Sequence, residues 1–449
     1  MVPYFPHTEK DIEKMLAEIG VKNLEELFND IPSCVRLEEP LSLPEGKAEY
    51  EVLKKAKEYA ARNNVKAISF LGCGAYDHII PSTVKPIISR SEFYTAYTPY
   101  QAEISQGILQ SIFEFQSMVC RITGLDVSNA SLYDGHTAAV EAAVMALNSA
   151  AKGGNTILYS ATLHPYTKKV LDAHFGNTQV VLREIPEKEG VTDRKALMEL
   201  LGPEIAGVIC QTPNCYGYTE DLSGIAEEVH KAEALFIVSS NPLSLGLLKS
   251  QGEWGADIAV GDAQPLGLAS YFGGPSVGYI SAREQLLRKL PGRIVGQSLD
   301  VEGRRAFLLT LQAREQHIKR QRATSNICSN QALCALAVVV YLSTLGKEGF
   351  QEVAQLNYQK AHYLYNALTG KLSLKPLYKQ EFFNEFTILL PKPAREVVKG
   401  MVDKGFFAGV PLVDLDPKAD PKALVVAVTE KRTKEEMDNY TKALQEVLK

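Results

Sequence analysis

From residue 67 onward the apolar positions fall in short runs of four or five, separated by stretches with helical spacing. The runs at 67–71, 156–159, 178–182, 207–211, 235–239 and 256–260 are largely continuous in Val, Ile, Leu, Phe and Ala rather than alternating with polar residues. That is the pattern of strands buried on both faces. Helical patterns at 108–122, 137–151, 194–201 and 222–232, and one running through Ala173, lie before and between them. Such alternation predicts a largely parallel sheet with right-handed crossovers. Further on, a long apolar helix at 330–343 leads to strands at 386–390 and 424–428 and helices at 394–404 and 434–447, an α+β order. Ahead of the first run, helical patterns at 9–19, 24–28 and 48–62 flank the Pro-rich segment 32–44 and predict a mostly helical arm. With 449 residues, the chain exceeds the roughly 250–300 at which a single core stops growing. The expected division is an arm at 1–63, a large α/β domain at 64–330 and a smaller α+β domain at 331–449.

In an open α/β sheet ligands sit beyond the carboxyl ends of the strands, so the residues following each run carry the candidate chemistry. The run at 256–260 empties into Gly261-Asp262, and the loop beyond it reads Tyr271-Phe272-Gly273-Gly274-Pro275. Two glycines there let backbone N–H groups approach an anion closely. The run at 67–71 ends in Gly72-Cys73-Gly74, a special turn. Residues 129–141, NASLYDGHTAAVE, feed a small-residue turn into an Ala-rich helix, whose start offers free N–H groups and a positive dipole to an anion. The alternative is an N-cap by Asp134 with Gly135 as a turn residue, and Asp134 adds a negative charge of its own. Residues 94–107, YTAYTPYQAEISQG, place three tyrosines within seven positions and read as a binding or interface segment rather than an ordinary surface loop. Arg314, Glu315 and His317, in an Arg-, Gln- and His-rich stretch broken by apolar positions, suggest a hydrogen-bonded network or an interface.

Composition narrows the function classes. A formal net charge of −5, with Lys319-Arg320-Gln321-Arg322 the one compact basic cluster, leaves no electrostatic footprint for nucleic acid or an anionic membrane. The longest apolar run, 335–342, is shorter than the roughly 20 residues a membrane span needs. The first residues, MVPYFPHTEKDIEKM, have the character of neither a secretory nor a transit peptide, so a cytoplasmic location is expected. Seven cysteines without a Cys-x-x-Cys fit reduced thiols better than a disulfide framework or a zinc site.

Taken together, YTPYQAEISQG, SLYDGHTAAVEA, QTPNCYG, ADIAVGDAQPLG, FGGP and LQAREQHIKRQRATSNICSNQAL resemble the P-protein family of the glycine cleavage system, and within it the amino-terminal half that forms a separate subunit in split members. The resemblance implies a fold-type I pyridoxal-phosphate transferase (aspartate-aminotransferase-like) fold. It also implies that Gln264 and Pro265 stand where such enzymes carry His-Lys, so that no catalytic residue is carried by this chain alone. A lysine is needed at that place for the imine that anchors the cofactor. Ser239, in FIVSSN, ends a strand after which relatives carry the aspartate that keeps the pyridine nitrogen protonated. Asp134, Gly135, His136 and Thr137 then correspond to a degenerate phosphate cup, His164 to the histidine stacked on the cofactor ring, and Asn214 to a further degenerate cofactor-site position. Tyr97, Thr98, Tyr100, Glu103, Gly273 and Gly274 become candidates for an interface or a shared site. The implied partners are a homologous second subunit that binds pyridoxal phosphate covalently, in an α2β2 assembly, the lipoylated H-protein, and glycine. No metal and no covalently bound cofactor are expected in this chain. Two alternatives remain open at this stage: a self-sufficient enzyme using another lysine such as Lys249, and a regulatory pseudoenzyme.

Overall fold

Five of the six apolar runs contribute to a seven-stranded sheet in a computed structural model that describes residues 6–37, 39, 41–94, 97–150, 153–271 and 273–449. Its strands are β1 (Val127–Ser128), β2 (Thr156–Ser160), β3 (Val181–Ile185), β4 (Ile205–Gln211), β5 (Leu235–Ser239), β6 (Ile258–Asp262) and β7 (Gly278–Ala282). They lie in the order β1-β7-β6-β5-β4-β2-β3. The pairs from β6 across to β3 are all parallel, and β7 runs antiparallel to both of its neighbours.

Successive strand side chains point to opposite faces, and here both faces are covered. Ile157, Ile209, Ile237 and Ile258 join one buried cluster with the alanines of helix α1 (Gly135–Leu147). Leu158, Val208, Cys210, Phe236 and Val238 join another on the opposite side. Helix α1 sits close: a Cβ on Gly207 of β4 would lie 2.8 Å from the Ala146 methyl, so this contact requires a residue without a side chain.

Several elements differ from the sequence reading. The strand expected at 178–182 is Val181–Ile185 instead, because Thr178 still belongs to the preceding helix end, its hydroxyl donating to Phe175 O at 2.7 Å. The run at 67–71 contributes only Ile68–Ser69, and it pairs with Phe406–Phe407 rather than with the large sheet. The helix expected at 137–151 begins at Gly135, where Asp134 caps it; Ala151 lies outside the described residues. The helix expected at 330–343 opens a much longer element, Ala332–Lys371, interrupted at Gly346 by a left-handed φ of 63°. An antiparallel hairpin, Ile294–Leu299 with Arg305–Thr310, was not foreseen.

A second, four-stranded sheet is formed by Lys375–Pro376, Glu385–Leu389, Ala423–Ala427 and Val410–Pro411, in that order. Helices Ala394–Asp403 and Lys434–Leu448 supply Val397, Met401, Tyr440 and Leu444 to its buried cluster. Among the described residues, Ala332–Lys371 is the one helix with the length and apolar composition of a membrane span. Its Ala335, Ala337 and Val338 are nonetheless packed in a core cluster with Phe115, Val119 and Tyr341.

These elements belong to one compact unit, residues 66–449, and residues 1–65 form another. The latter holds helices Glu9–Ile19 and Glu49–Ala60, neither of which contains a buried residue. Thr8 and Asp11 close a reciprocal capping box at the start of the first.

Candidate functional site

The carboxyl ends of β4, β5 and β6 open on a cavity of about 80 Å3 lined by residues of several loops, among them Cys73, His136, His164, Gln211, Asn214, Ser239, Asn241, Asp262, Pro265 and Glu385. Each wall has a local cause. β6 ends at Asp262, where the chain turns sharply and places Pro265 on the cavity wall. Gln264 does something else. Its Oε1 accepts from Tyr76 N at 3.0 Å and its Nε2 donates to Tyr76 O at 3.1 Å and Leu268 O at 2.7 Å. It is a buried clip between two loops, and Pro265 alone of the two lines the cavity.

The start of α1 is the second wall. Asp134 caps it, accepting from Thr137 N at 2.7 Å, and Gly135 N donates to Asp262 Oδ2 at 3.0 Å. Asp262 also accepts from Gln264 N at 2.9 Å and from Ser276 Oγ at 2.6 Å. Two side-chain carboxylates thus take two of the N–H groups, Gly135 N and Thr137 N, that a helix start offers to an external anion. Burial raises the Asp262 carboxyl above its ordinary range, while the three hydrogen bonds oppose that rise.

His164 and His136 form the third wall, with ring centroids 5.0 Å apart. His164 Nδ1 accepts from Tyr166 N at 3.1 Å, so Nε2 carries the proton and donates to Cys73 O at 3.0 Å. Burial, reinforced by His136, pushes His164 down to about 3, and burial also lowers His136. Both rings are neutral near pH 7. The Cys73 backbone joins His164 to Glu385, the first residue of its strand, which accepts from Cys73 N at 2.6 Å and Tyr76 Oη at 3.1 Å. Burial raises it to about 7, and burial together with the Glu385 charge raises the Cys73 thiol and the Tyr76 phenol well above their usual values. Gly72 makes this approach possible, since a Cβ there would lie 2.0 Å from Glu385 Oε1.

Of the residues singled out in the sequence, the structure brings Gly135, His136, His164, Asn214, Ser239 and Pro265 to this one cavity. Asn214 is committed to structure: Oδ1 accepts from Tyr216 N and Tyr218 N, and Nδ2 donates to Gly190 O and Glu220. Tyr97, Tyr100, Glu103, Gly273 and Gly274 lie exposed, and Thr98 half-buried, away from the cavity lining. Thr95, Ala96 and Phe272, in the same two segments, lie outside the described residues. Tyr100, Glu315 and His317 do meet, through Arg293. The guanidinium lies 5.7 Å from the Tyr100 ring and 3.7 Å from Glu315, which stands 3.6 Å from His317. Arg314 instead donates to the carbonyls of Leu290, Gly292 and Leu311. Lys249 is far from the chemistry, its ammonium stacked 4.5 Å over Trp254 on the wall of a separate cavity.

Glu385, Tyr76 and Asn241 were missed as site residues, and Asp262 and Cys73 were named only as members of strand-end turns. Their one signal is position: Asp262 ends a buried strand, and Glu385 is a carboxylate opening the apolar run FTILL.

Among the described residues, no lysine or arginine lines the cavity. With Pro265 in place of an amine, two carboxylates at the helix start and Ser239 at the end of β5, the residues present do not fit pyridoxal phosphate.

The architecture defines the class first. An alanine–glyoxylate aminotransferase from Nostoc sp. superposes with a TM-score of 0.59 at 17% identity, over 93% of this chain and 98% of that one, which marks the fold as that of fold-type I pyridoxal-phosphate enzymes. A glycine decarboxylase (P-protein) of the glycine cleavage system, solved in inhibitor-bound form, superposes with a TM-score of 0.88 at 41% identity, over 99% of this chain and 100% of that one. The family model for the glycine cleavage system P-protein matches residues 3–444, and the chain belongs to that family. A probable glycine dehydrogenase (decarboxylating) subunit 1 from Carboxydothermus hydrogenoformans is 47% identical over 98% of this chain and 99% of its own length.

Proposed function

We propose that this chain is the lysine-lacking subunit of a glycine-decarboxylating P-protein. It acts only in complex with a homologous subunit that holds pyridoxal phosphate covalently, as an α2β2 assembly in the cytoplasm. Together they release the glycine carboxylate as CO2 and pass the aminomethyl group to the lipoyl arm of the H-protein. The cofactor, bound in the partner, supplies an electron sink for the electrons left by CO2. The single observation that carries this division of labour is Pro265 on the cavity wall where an amine would be required, with Asp134 and Asp262 already on the N–H groups of α1.

What the chain gives is a surface. Tyr97, Ile104, Leu299, Val301 and Ile318 are exposed, Val301 fully so at the hairpin tip. The elements bearing them are tied together, for the Gln106 side chain donates to Phe307 O and accepts from Phe307 N, both at 2.9 Å, and Tyr100 packs edge-on against His317 at 5.8 Å. Apolar groups exposed in such number suit burial against another chain. Residues 1–65, whose helices bury nothing while Leu24, Leu37, Leu43 and Tyr50 are exposed, suit an arm that wraps a partner.

Co-expression with the homologous second subunit tests this. The expected result is a stable complex with glycine–CO2 exchange activity, absent from this chain alone, and borohydride reduction followed by peptide mapping that puts the pyridoxyl-lysine only on the second subunit. Exchange by this chain alone, or a stoichiometric pyridoxyl-lysine on it, would overturn the proposal.

A further inference from the structure

The cavity at the ends of β5 and β6 has lost the features that suit a phosphate, yet it is not filled. Its volume of about 80 Å3 is several times the roughly 10–15 Å3 that admits one water. Three polar atoms on its lining residues are buried without a partner among the described residues: Ser240 Oγ, Asn241 Nδ2 and Asn384 Nδ2. Orphaned buried donors are costly and rare in native structures. Ser240 and Asn384 are themselves 3% and 2% exposed, so bulk water does not solvate them. The orientation of Asn241 is fixed, because its Oδ1 accepts from Leu243 N at 3.0 Å, which leaves Nδ2 as the unpartnered end.

Two amides and a hydroxyl are donors for a carboxylate. Beside them in the chain stands the opposite chemistry: Glu385 directly follows Asn384, and Asp262 ends the strand paired with the one that leads to Ser240 and Asn241. A carboxylate has about four acceptor positions, and Asp262 receives three hydrogen bonds. We propose that this cavity is a non-covalent binding site for a small zwitterionic α-amino acid of glycine's size. Its carboxylate is received by Asn241, Asn384 and Ser240, and its ammonium by Glu385 and Asp262. Among the described residues the lack of a lining lysine or arginine disfavours anions without an ammonium group, and the small volume disfavours long side chains. Among the described residues no three His, Cys, Asp or Glu form a metal cluster, which separates this site from a cation site. The site belongs to this chain whether or not the catalytic division proposed above holds.

Equilibrium dialysis with radiolabelled glycine tests it on the full chain, alone and in complex with the second subunit. The expected result is saturable binding of one glycine per chain, displaced by alanine but not by leucine, acetate or inorganic phosphate at equal concentration. Asn241→Asp keeps the acceptor for Leu243 N and removes the donor, so affinity should fall by about tenfold or more, the usual cost of a lost hydrogen bond to a charged group. Asn384→Asp should do the same. Absence of saturable binding to the wild-type chain overturns the proposal without any variant. So does displacement by leucine as effective as by glycine, or unchanged affinity in both variants. A complex that assembles and exchanges CO2 but binds one glycine per pair would leave the subunit reading intact and this site refuted. Glycine binding by a chain that ignores the second subunit would do the reverse.

Discussion

Glu385→Gln isolates the cost of the buried carboxylate, which is set by its surroundings. Glu385 is walled by Cys73, Tyr76 and the strand backbone, and burial moves its carboxyl from 4.5 to about 7. A carboxyl with a raised folded pKa binds more protons in the native state than in the unfolded one, so stability is lost as pH rises from the unfolded to the folded value. With those two values the loss is about 0.8 kcal/mol at pH 5 and about 3.3 kcal/mol at pH 8. Glutamine has no charge to bury. The variant should therefore gain about 2.5 kcal/mol on the wild type between pH 5 and pH 8, whatever constant offset the amide introduces. Glu141, also raised to about 7 by burial, adds its own slope to both proteins and cancels in the difference. Urea unfolding can be followed through Trp254, the single tryptophan, which packs against the cluster containing Phe236 and Val238. A wild-type-minus-variant difference that stays flat from pH 5 to pH 8 would refute the assignment of a buried, high-pKa carboxyl here.

Three further substitutions probe the division of labour. Pro265→Lys restores an amine to the cavity wall but leaves Asp134 and Asp262 on the helix start, so borohydride reduction with pyridoxal phosphate should label residue 265 far below stoichiometry; full labelling would show that the amine alone was missing. Tyr97→Phe and Tyr100→Phe each remove one exposed hydroxyl, so the complex with the second subunit should still form while glycine–CO2 exchange falls about tenfold, and full activity in both would exclude these hydroxyls from the shared site.

The large sheet was legible because a strand buried on both faces must be apolar throughout, and β4 and β5 carry no polar residue before their last position. The edge strand β3 was placed three residues early, since Val180 and Val181 are apolar yet little constrained by burial. The hairpin at 294–310 was invisible for a related reason. Its exposed Leu299 and Val301 blur the alternation that would mark a strand. Of the six cavity residues named from the sequence, Gly135 and His136 belong to a helix start read as an anion site, while His164, Asn214, Ser239 and Pro265 were assigned by the family resemblance; their shared position near strand ends is consistent with topology. Glu385 and Asn384 come from the second sheet, more than a hundred residues further along, and no local pattern joins that segment to β6.

Asp262 gives the buried start of α1 an acceptor from within the chain. A helix start buried at the end of a sheet leaves N–H groups that need an acceptor. Where an external phosphate supplies it, the loops around the site depend on a ligand for part of their order. Here Asp262 accepts from Gly135 N, Gln264 N and Ser276 Oγ, so the helix, the turn after β6 and the segment leading into β7 close on one internal carboxylate. Gln264 then ties that turn to the loop at Tyr76. Burying the Asp262 charge is unfavourable, as its raised carboxyl records, but the three donors offset part of that cost and are present in every folded molecule. Asp262 and Gln264 thus hold the loops around the cavity through contacts that lie within the chain itself.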